Sequence, residues 1–582
     1  MPESRAGRAR SPHAPALSPT VSSLARDLPI VVAGLALFYA LLALAHYWAG
    51  PVNSQREIQL DPRALPKYAL FSVARIAVAY LFSFVVTLIY GYVAAHNARA
   101  ERVMIPLLDT LQSIPVLSFL PGVMVSMVAL FPTRQLGLEL GSILLIFTGQ
   151  VWNMTFSVYS SFKNIPREML EASQLYRLSK WQQFTQLELP YAAIGLVWNS
   201  MMSVAGAWFF LMACEMFVLG KRDLRLPGLG SYLQSAANAG DTRAIMWGIG
   251  VMIGIIVLID QLIWRPIIAW SEKFKFEQVE ASAAPRSPVL NMLRRSQVLR
   301  RATAAAILPA SERLNLYFAK KHALPHRVEA MHPRRKWIIR ALTALVLLGL
   351  AYAVVMMGVT LATLSRSEAG GILLGAGATF LRVELTLVLA ALWTIPVGVY
   401  IGLRPKFSAF AQPLTQIAAS VPATALFPLV LLFLIRIGGG LGIGSIALLL
   451  LGTQWYILFN VIAGASAIPT DLKEVCNVFR FGKIERWRRL LLPAIFPYLV
   501  TGFITASGGA WNASIVAEYV HFQGRTISTL GLGAVISHAT DAGNLPVLLG
   551  ATIVMAMLVV TVNRLLWRRL FNLASTRFTL EI

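Results

Sequence analysis

The sequence has 582 residues, of which 57% are hydrophobic and only 13% are charged, whereas about 25% of the residues in soluble domains are charged. Its formal net charge at pH 7 is +24. The basic residues gather at the edges of apolar segments, where membrane insertion and anionic lipids account for them. We therefore expect membrane lipid as a partner and no nucleic acid. This composition indicates a polytopic helical membrane protein and not a soluble domain.

Long apolar blocks recur along the whole chain, and each is long enough to cross the ~30 Å hydrocarbon layer as a helix. In the first half they lie near residues 28–48, 68–94, 113–131, 138–160, 191–219 and 242–268. In the second half they lie near residues 337–364, 373–402, 415–437, 441–463, 494–519 and 543–566. We predict an all-α fold of about twelve transmembrane helices.

The positions of Lys and Arg set the predicted orientation. Residues 1–27 form a basic tail with four arginines, which predicts a cytoplasmic N-terminus. A cleavable signal peptide is the alternative, because small residues at 43–45 could form a cleavage site. Twelve spans return the C-terminus to the cytoplasm, together with residues 271–336, which contain 14 Lys/Arg and 5 Asp/Glu. We expect a multi-pass protein of the cell (inner) membrane with both termini inside.

An internal repeat appears when the sequence is compared with itself at an offset of 307, which changes to 303 after a short deletion. The matched pairs include Arg75 and Arg382, Pro106 and Pro413, Ser113 and Ser420, Pro166 and Pro469, Pro190 and Pro493, Trp208 and Trp511, and Glu215 and Glu518. We assign the two units to residues 28–270 and 337–582. Each holds six blocks, an even number, so the units form a parallel repeat about an axis along the membrane normal.

Residues 271–336 connect the two units on the cytoplasmic side. The stretches "LNMLRRSQVLRRATAAAIL" and "ERLNLYFAKKHALPHRV" read as short amphipathic basic helices at the inner leaflet. The alternative is a mostly disordered linker, since the segment begins with the Ala/Pro/Ser-rich stretch "VEASAAPRSP". Both interpretations place the segment outside the membrane.

Two polar stretches rich in helix formers interrupt the apolar pattern at equivalent places. They are "EASQLYRLSKWQQFTQLELP", Glu171 to Pro190, and "EVCNVFRFGKIERWRRLLLP", Glu474 to Pro493. We predict a helix–turn–helix elbow in each, with the turn at Ser179 or Gly482, because glycine adopts positive φ readily. We expect the Leu-Pro to end the cytoplasmic helix before the next span begins.

The two stretches resemble the coupling-loop signature of the membrane subunits of ABC importers, in which Glu-Ala-Ala is followed by Gly and Leu-Pro. The matching residues are Glu171, Ala172, Ser173, Ser179 and Pro190 in the first copy, and Glu474, Val475, Cys476, Gly482 and Pro493 in the second. Ser replaces Gly in the first copy and Val-Cys replaces Ala-Ala in the second. The "LPGLG" and "TLGLG" stretches resemble the nitrate/taurine/sulfonate branch of these importers.

The resemblance covers residues of about 60–280 and 370–582. It implies a fused permease of the type I importer fold, whose coupling loops, 163–190 and 464–493, dock on two copies of an ATP-binding subunit and drive alternating access. It further implies an external substrate-binding protein and a small anionic or sulfonate-like substrate. The chain has no G-x-x-x-x-G-K-[ST] motif, so we expect ATP hydrolysis in the separate subunit, and neither enzymatic activity nor a cofactor here.

Charged residues inside predicted spans are expensive and by default suggest function. Arg75 and Arg382 are candidates to meet an anionic substrate, with Glu215 and Glu518 as release partners or gates. The alternative is a structural Arg–Glu pair that ties two spans within each unit. Further pathway candidates, for which interhelical hydrogen bonding or buried packing is the alternative, are Gln150, Gln454, Trp208 and Trp511.

Two other transporter classes compete with this interpretation. A twelve-span transporter driven by an ion gradient would need coupling carboxylates near the midplane, and Asp260 is the one candidate, with Asn563 at the equivalent position. A fused ABC permease for ferric iron or thiamine has a similar length and two loops. The two cysteines, Cys214 and Cys476, imply neither a disulfide nor a metal framework.

Overall fold

The structure is a computed structural model, and it describes residues 57–219, 222–223, 225–274, 287–323, 333–404, 421–436, 440–522 and 525–577, with a few isolated positions outside these ranges. The described part of the chain is helical apart from two short antiparallel hairpins. The predicted tail 1–27 and nearly all of the predicted span 28–48 lie outside the described residues.

The first unit begins with a long helix and ends at the linker. Its helices are α1 (Leu65–His96), α2 (Ala98–Ser113), α3 (Leu120–Leu130), α4 (Leu136–Lys163), α5 (Arg167–Leu175), α6 (Lys180–Gln183), α7 (Leu189–Glu215), α8 (Leu229–Ala239), α9 (Thr242–Ile259) and α10 (Arg265–Ser271). A hairpin of β1 (Val218–Leu219) and β2 (Arg222–Asp223) follows α7. Short 3₁₀ turns occupy Pro62–Ala64, Val116–Phe119 and Glu272–Phe274, and π turns occupy Phe184–Glu188 and Asp260–Trp264.

The described linker residues 287–323 form the helices α11 (Pro288–Arg295), α12 (Gln297–Ala302) and α13 (Leu308–Ala323), in agreement with the helical interpretation of this stretch. The second unit has α14 (Pro333–Ala362), α15 (Arg366–Gly402), α16 (Ala423–Arg436), α17 (Leu441–Ser466), α18 (Thr470–Val478), α19 (Lys483–Arg486), α20 (Leu492–Ala517), α21 (Leu532–Ala542), α22 (Leu545–Val562) and α23 (Arg568–Arg577). Its hairpin is β3 (Tyr519–Phe522) with β4 (Arg525–Ser528). π turns fill Thr303–Ile307, Trp487–Leu491 and Asn563–Trp567.

Seven helices within the described ranges are long and apolar enough to cross a membrane, and an eighth span is added if a bent pair is counted as one. The seven are Pro62–His96, Lys180–Glu215, Thr242–Phe274, Arg366–Gly402, Leu441–Ser466, Lys483–Ala517 and Leu545–Arg577. These spans establish an all-α polytopic fold. The total of twelve stays a prediction, because several predicted blocks fall partly on residues that the structure does not describe.

The predicted span at 113–131 is wrong as one continuous helix. Helix α2 ends at Ser113, and the chain turns by 82° before the segment Val116–Leu130. Pro115 causes the break, because proline disfavours helical φ and ψ at the residue before it, and Ile114 is extended with φ −80° and ψ 126°. Helix α3 has only 11 residues, about 16 Å, so it cannot cross the bilayer alone.

Both units are built on the same three-helix core. In the first, α4 packs between α1 and α7, and in the second, α17 packs between α15 and α20. Glycines allow the close approach: a Cβ on Gly91 would lie 2.8 Å from Val158 Cγ1, and one on Gly398 would lie 2.7 Å from Val461 Cγ1. Small residues at such crossings are typical of membrane helix pairs, whose attraction comes from close packing.

The two units contact each other through equivalent segments. The turn Val116–Phe119 of the first unit lies against α20 and α22, and α16 of the second unit lies against α7, α8 and α9. Asn563 Nδ2 donates to Ser113 Oγ at 3.0 Å across this boundary. Because the segments after each Ser-x-Pro make the reciprocal contacts, the interface has the pseudo-two-fold relation expected of a parallel repeat.

Candidate functional site

Arg75 is at the centre of a buried ion-pair network in the first unit. Its Nε and Nη2 donate to the two carboxylate oxygens of Glu139, each at 2.7 Å. Its Nη1 donates to Glu215 at 2.7 Å and to the carbonyl oxygen of Pro227 at 2.9 Å. All three charged side chains are at most 1% exposed. The structure therefore pairs Arg75 with Glu215, as the structural alternative requires, and adds Glu139 from α4.

Glu215 is also held by two neutral donors, one on α1 and one at the start of α8. Ser72 Oγ donates to one of its oxygens at 2.7 Å, and the Gly230 amide donates to the other at 2.7 Å. A Cβ on Gly228 would overlap the carboxylate. The glycines of "LPGLG" thus have a physical task, because only glycine lets the backbone approach the carboxylate so closely.

The second unit repeats this arrangement with equivalent residues. Arg382 Nη1 donates to Glu518, and Thr379 Oγ1 donates to the same carboxylate at 2.8 Å. The Gly533 amide donates to its other oxygen at 2.8 Å, and Arg382 Nη2 donates to the Leu530 carbonyl oxygen at 3.0 Å. A Cβ on Gly531, the first glycine of "TLGLG", would likewise overlap the Glu518 carboxylate. The glycine stretches of both units hold one acidic side chain each.

Each polar stretch forms the predicted helix–turn–helix. The first elbow consists of α5 and α6, and the second elbow consists of α18 and α19. In the first, the amide of Leu178 donates to the carbonyl oxygen of Ser173 at 3.0 Å, which is the long hydrogen bond of a Schellman turn. In the second, the Phe481 amide donates to the Cys476 carbonyl oxygen at 3.0 Å. The two turns have the same geometry.

The predicted turn position is wrong in both elbows. The positive φ belongs to Arg177, at 50°, and to Arg480, at 52°, which are the residues that follow the last helical turn in a Schellman motif. Ser179 and Gly482 both have φ −64° and extended ψ, so neither needs glycine's freedom. Ser179 instead caps α6, with its Oγ accepting from the Gln182 amide at 3.3 Å. Serine and glycine are both good helix caps, which explains why they interchange here.

The motif residues divide into exposed and buried positions. Glu171 and Glu474 are exposed, whereas Ser173 and Cys476, which are equivalent, are 6% and 5% exposed. Ala172 is half-buried and Val475 is 45% exposed. A small side chain is needed at the third motif position because it faces the inside of the elbow, whereas the glutamate is exposed on the outside.

The expectation that Leu-Pro ends the elbow helix is also wrong. Helix α6 continues through the π turn Phe184–Glu188 into α7, so that Lys180–Glu215 is one helix of 36 residues. The second copy is a helix of 35 residues, Lys483–Ala517. A π turn precedes each proline, Pro190 in the first copy and Pro493 in the second. Proline has no N–H to donate to the carbonyl one turn earlier, and the wider hydrogen-bond spacing of the π turn accommodates that carbonyl. Each elbow is therefore rigidly joined to a membrane span.

Linker helix α13 lies against the first elbow. The ring of Phe318 on α13 stacks on Trp181 of α6, with centroids 5.1 Å apart and planes 28° apart. At the equivalent position of the second elbow, Ile484 is 77% exposed. It lines an open cleft whose other residues are Gly482, Lys483, Glu485, Arg488 and Arg489. The two elbows thus present similar turns but different flanks.

The remaining candidates lie inside the units. Gln150 is fully buried, and its Oε1 accepts from Ser83 Oγ at 3.4 Å while its Nε2 has no partner among the described residues. Gln454 is 8% exposed. Trp208 and Trp511 are 2% and 0% exposed, and Trp511 Nε1 also finds no partner within the described ranges. A role for these four in a pathway stays a prediction.

Several residues of the site were missed from the sequence. Glu139 lies in a predicted span, but the second copy has Gly442 at that position, so the comparison of repeats pointed away from it. The exposed apolar pairs at the elbow tips were also missed. They are Leu175 and Tyr176, 83% and 80% exposed, and Val478 and Phe479, 76% and 70% exposed. The sequence does show these pairs, because each directly precedes the arginine of its turn, Arg177 or Arg480.

Comparison with known proteins agrees with this duplicated architecture. The chain matches the family model described as binding-protein-dependent transport system inner membrane component twice, over residues 87–263 and 394–571. The two matches cover more than half of the chain, one in each unit, and each includes an elbow.

Individual relatives are more distant. The chain is 32% identical over 143 residues to the bicarbonate transport system permease protein CmpB of Synechococcus elongatus, which is 25% of this chain and 50% of that protein. It is 29% identical over 162 residues to the nitrate import permease protein NrtB of the same species, 28% and 54% of the two chains. It is 25% identical over 182 residues to the taurine transport system permease protein TauC of Escherichia coli, which is 31% of this chain and 62% of that protein. The chain spans about half the length of the first two. With the family model matched in both units, the chain belongs to the binding-protein-dependent transport system inner membrane components, as a tandem permease of the nitrate/taurine branch.

Proposed function

We propose that this chain forms the translocation pathway of an ATP-driven importer of small oxyanions. Two copies of an ATP-binding subunit dock on the two elbows, and their closure moves the units between inward-open and outward-open arrangements. A separate binding protein delivers the substrate from outside. Bicarbonate and nitrate, named for two of the relatives, are oxyanions, and taurine, named for the third, carries a sulfonate.

The duplicated elbow tip is the observation that carries this proposal. Each elbow presents an adjacent pair of large apolar side chains to solvent, Leu175 with Tyr176 and Val478 with Phe479, all at least 70% exposed. Exposed apolar pairs beside a rigid turn are typical of an interface anchor, since burying such a side chain contributes about 1.5–3 kcal/mol. Two equivalent anchors suit two copies of one partner.

The continuity of elbow and span supports the mechanical part of the proposal. A force on α6 acts directly on α7, since the two are segments of one 36-residue helix, and the same holds for α19 and α20. Helices α7 and α20 both contact the other unit. Movement of an elbow would therefore change the boundary between the units without a flexible joint between them.

The alternative driven by an ion gradient receives little support. Asp260, its coupling candidate, forms an ion pair with Arg265 at 3.2 Å, and the carboxylate is 31% exposed. A carboxylate that is paired with Arg265 and partly exposed at the end of α9 is not the buried midplane group that this mechanism needs. The similarity to nitrate, bicarbonate and taurine permeases likewise favours this branch over ferric-iron or thiamine permeases.

Binding of the cognate ATP-binding subunit tests the proposal. The double variant Leu175→Ser/Tyr176→Ser should bind it at least tenfold more weakly, since tenfold corresponds to about 1.4 kcal/mol and two anchors are lost. Linker helix α13 supplies a matched control in Leu316→Ser/Tyr317→Ser, an adjacent Leu–Tyr pair that is 60% and 61% exposed. The control should bind within twofold of the parent. Equal weakening of both variants, or of neither, would show that the elbow tips are not the docking site.

A further inference from the structure

The two ion-pair networks differ at one equivalent position. Glu139 of α4 corresponds to Gly442 of α17 at the offset of 303. Ser142 Oγ donates to the Glu139 carbonyl oxygen at 2.8 Å, and Ser445 Oγ donates to the Gly442 carbonyl oxygen at 2.9 Å. Glu139 is the fourth residue of α4 and Gly442 is the second residue of α17, so both lie in the first turn of their helix. The chemical difference between the two positions is the presence or absence of one carboxylate side chain.

Glu139 shows how a carboxylate is bound at this position. It accepts two hydrogen bonds from Arg75, one from Nε and one from Nη2, both at 2.7 Å. This side-on pairing of two donors with two oxygens is the geometry in which arginine recognises oxyanions most strongly. Together with Glu215, the network has a formal charge of −1. In the first unit, the anion beside the arginine is thus part of the chain itself, the Glu139 carboxylate.

Arg382 has no equivalent partner among the residues of the second unit that the structure describes. Its Nη1 donates to Glu518, and its Nη2 reaches the Leu530 carbonyl oxygen at 3.0 Å and Thr529 Oγ1 at 3.5 Å. Its Nε donates to no residue in the described part of the chain. The side chain is nine-tenths buried, with 10% exposed against 1% for Arg75, so it is less completely enclosed than Arg75. The formal charge of this network is zero.

The space beside Arg382 suits an anion. The space in front of Gly442 is open: a Cβ built on this residue would meet one non-hydrogen atom within 4 Å, Thr529 Oγ1 at 3.9 Å. Gly442 lies in the first turn of α17, where the cap residue Gly440 provides no side-chain hydrogen bond and no residue is acidic. The free amides and the positive end of the helix dipole at such a terminus attract anions. In the first unit, Glu139 occupies the corresponding first turn of α4.

We propose that Arg382 and the notch at Gly442 bind one small oxyanion, which takes the place that the Glu139 carboxylate occupies in the first unit. The ligand class is a carboxylate, bicarbonate, nitrate or sulfonate group, held by Arg382 Nε and by the Nη2 hydrogen that otherwise makes the long 3.5 Å contact with Thr529 Oγ1. The site gives the importer one anion-recognition point, in the second unit only. As a step of transport this inference rests on the proposed function, but anion binding is measurable without transport.

Calorimetric titration of the purified full-length chain in nanodiscs with sodium nitrate, at constant ionic strength set with sodium chloride, tests the site. Gly442→Glu supplies the missing carboxylate and should weaken nitrate binding at least tenfold. Gly442→Ala adds a methyl group into open space and should bind nitrate within twofold of the parent. Unchanged nitrate binding in Gly442→Glu, or no saturable binding by the parent, would overturn the proposal.

The converse variant tests the same site without relying on loss of binding. Glu139→Gly opens the equivalent position beside Arg75, so nitrate should raise its melting temperature by several degrees more than it raises that of the parent. No added nitrate effect would count against the proposal. ATP-dependent uptake by the complete transporter separates the two hypotheses: a parent that takes up solute with ATP but binds no anion at Arg382 keeps the proposed function and loses this site.

Discussion

At the scale of single residues, Arg75 shows how the fold tolerates charge in a membrane span. Three charged side chains are buried together, and each carboxylate oxygen of Glu139 and Glu215 has a donor. A buried charge that loses its partner is costly, because its desolvation is no longer compensated. The network therefore fixes α1, α4 and the start of α8 relative to one another.

We predict that Arg75→Met destabilises the protein by about 3–5 kcal/mol, the usual cost of breaking a buried ion pair. Arg382→Met should fall at the low end of this range, because it leaves one carboxylate unpaired instead of two. Reversible unfolding in a denaturing detergent would measure both free energies of unfolding. Equal losses of unfolding free energy in the two variants would contradict the claim that Glu139 is an additional stabilising partner of Arg75.

At the scale of elements, the linker helix α13 makes the two elbows different. Phe318 stacks on Trp181 of the first elbow, whereas the tip residue Tyr176 stays 80% exposed. The helix therefore flanks the elbow and leaves its tip available. One contact of this kind contributes about 0.5–1.5 kcal/mol beyond the area it buries.

The stack predicts how firmly the linker is held. Phe318→Ala should release α13 from the first elbow and increase the rate of tryptic cleavage after Lys320 and Lys321 by about fivefold to tenfold, as expected for a loss near 1 kcal/mol. Leu316→Ala removes an apolar side chain that is 60% exposed and should leave the rate unchanged. Identical cleavage of the two variants and the parent would mean that the stack does not hold the linker.

At the scale of the whole molecule, two units of the same orientation meet across a pseudo-two-fold boundary. The charge asymmetry of the sequence predicts that the linker lies in the cytoplasm and that the segments after α7 and α20 lie outside. Asn291 on α11 lies on the predicted cytoplasmic side and Asn238 on α8 lies on the predicted outer side, and both are exposed.

Cysteine labelling of intact cells tests this topology. In a background with Cys214→Ser and Cys476→Ser, Asn238→Cys should react with a membrane-impermeant maleimide at once. Asn291→Cys should react only after the cells are permeabilised. The two substitutions are matched because both replace an exposed asparagine on a helix. Labelling of position 291 in intact cells would invert the predicted orientation.

The repeat and the elbows could be predicted because their signals are local or recur at fixed spacing. The Arg75–Glu215 pair was foreseen as one of two alternatives, since both residues stand inside predicted spans. Glu139 was not foreseen, because the second copy has Gly442 at the equivalent position and the contact with Arg75 arises through the packing of α1 on α4.

Two local features were predicted wrongly, each for a physical reason. Glycine is the usual left-handed residue, so the sequence favours Gly482 as the turn residue, whereas Arg480 adopts the positive φ of 52°. The helix end was placed at Leu-Pro because π turns leave no clear sequence pattern, and a π turn carries the helix past Pro190.

Coupling of ATP hydrolysis to transport is the most direct test of the central claim that the elbows transmit the action of a separate ATPase. The measurement is the number of ATP molecules hydrolysed per solute moved, in proteoliposomes that contain the chain, its ATP-binding subunit and the binding protein. Glu171→Lys and Glu474→Lys reverse an exposed charge on each elbow and should leave insertion and folding intact. Both should raise this ratio severalfold, and Glu171→Lys should do so more strongly, because the first elbow keeps the family pattern better. Parent-like coupling in both variants, or uptake driven by an ion gradient without ATP, would contradict the account.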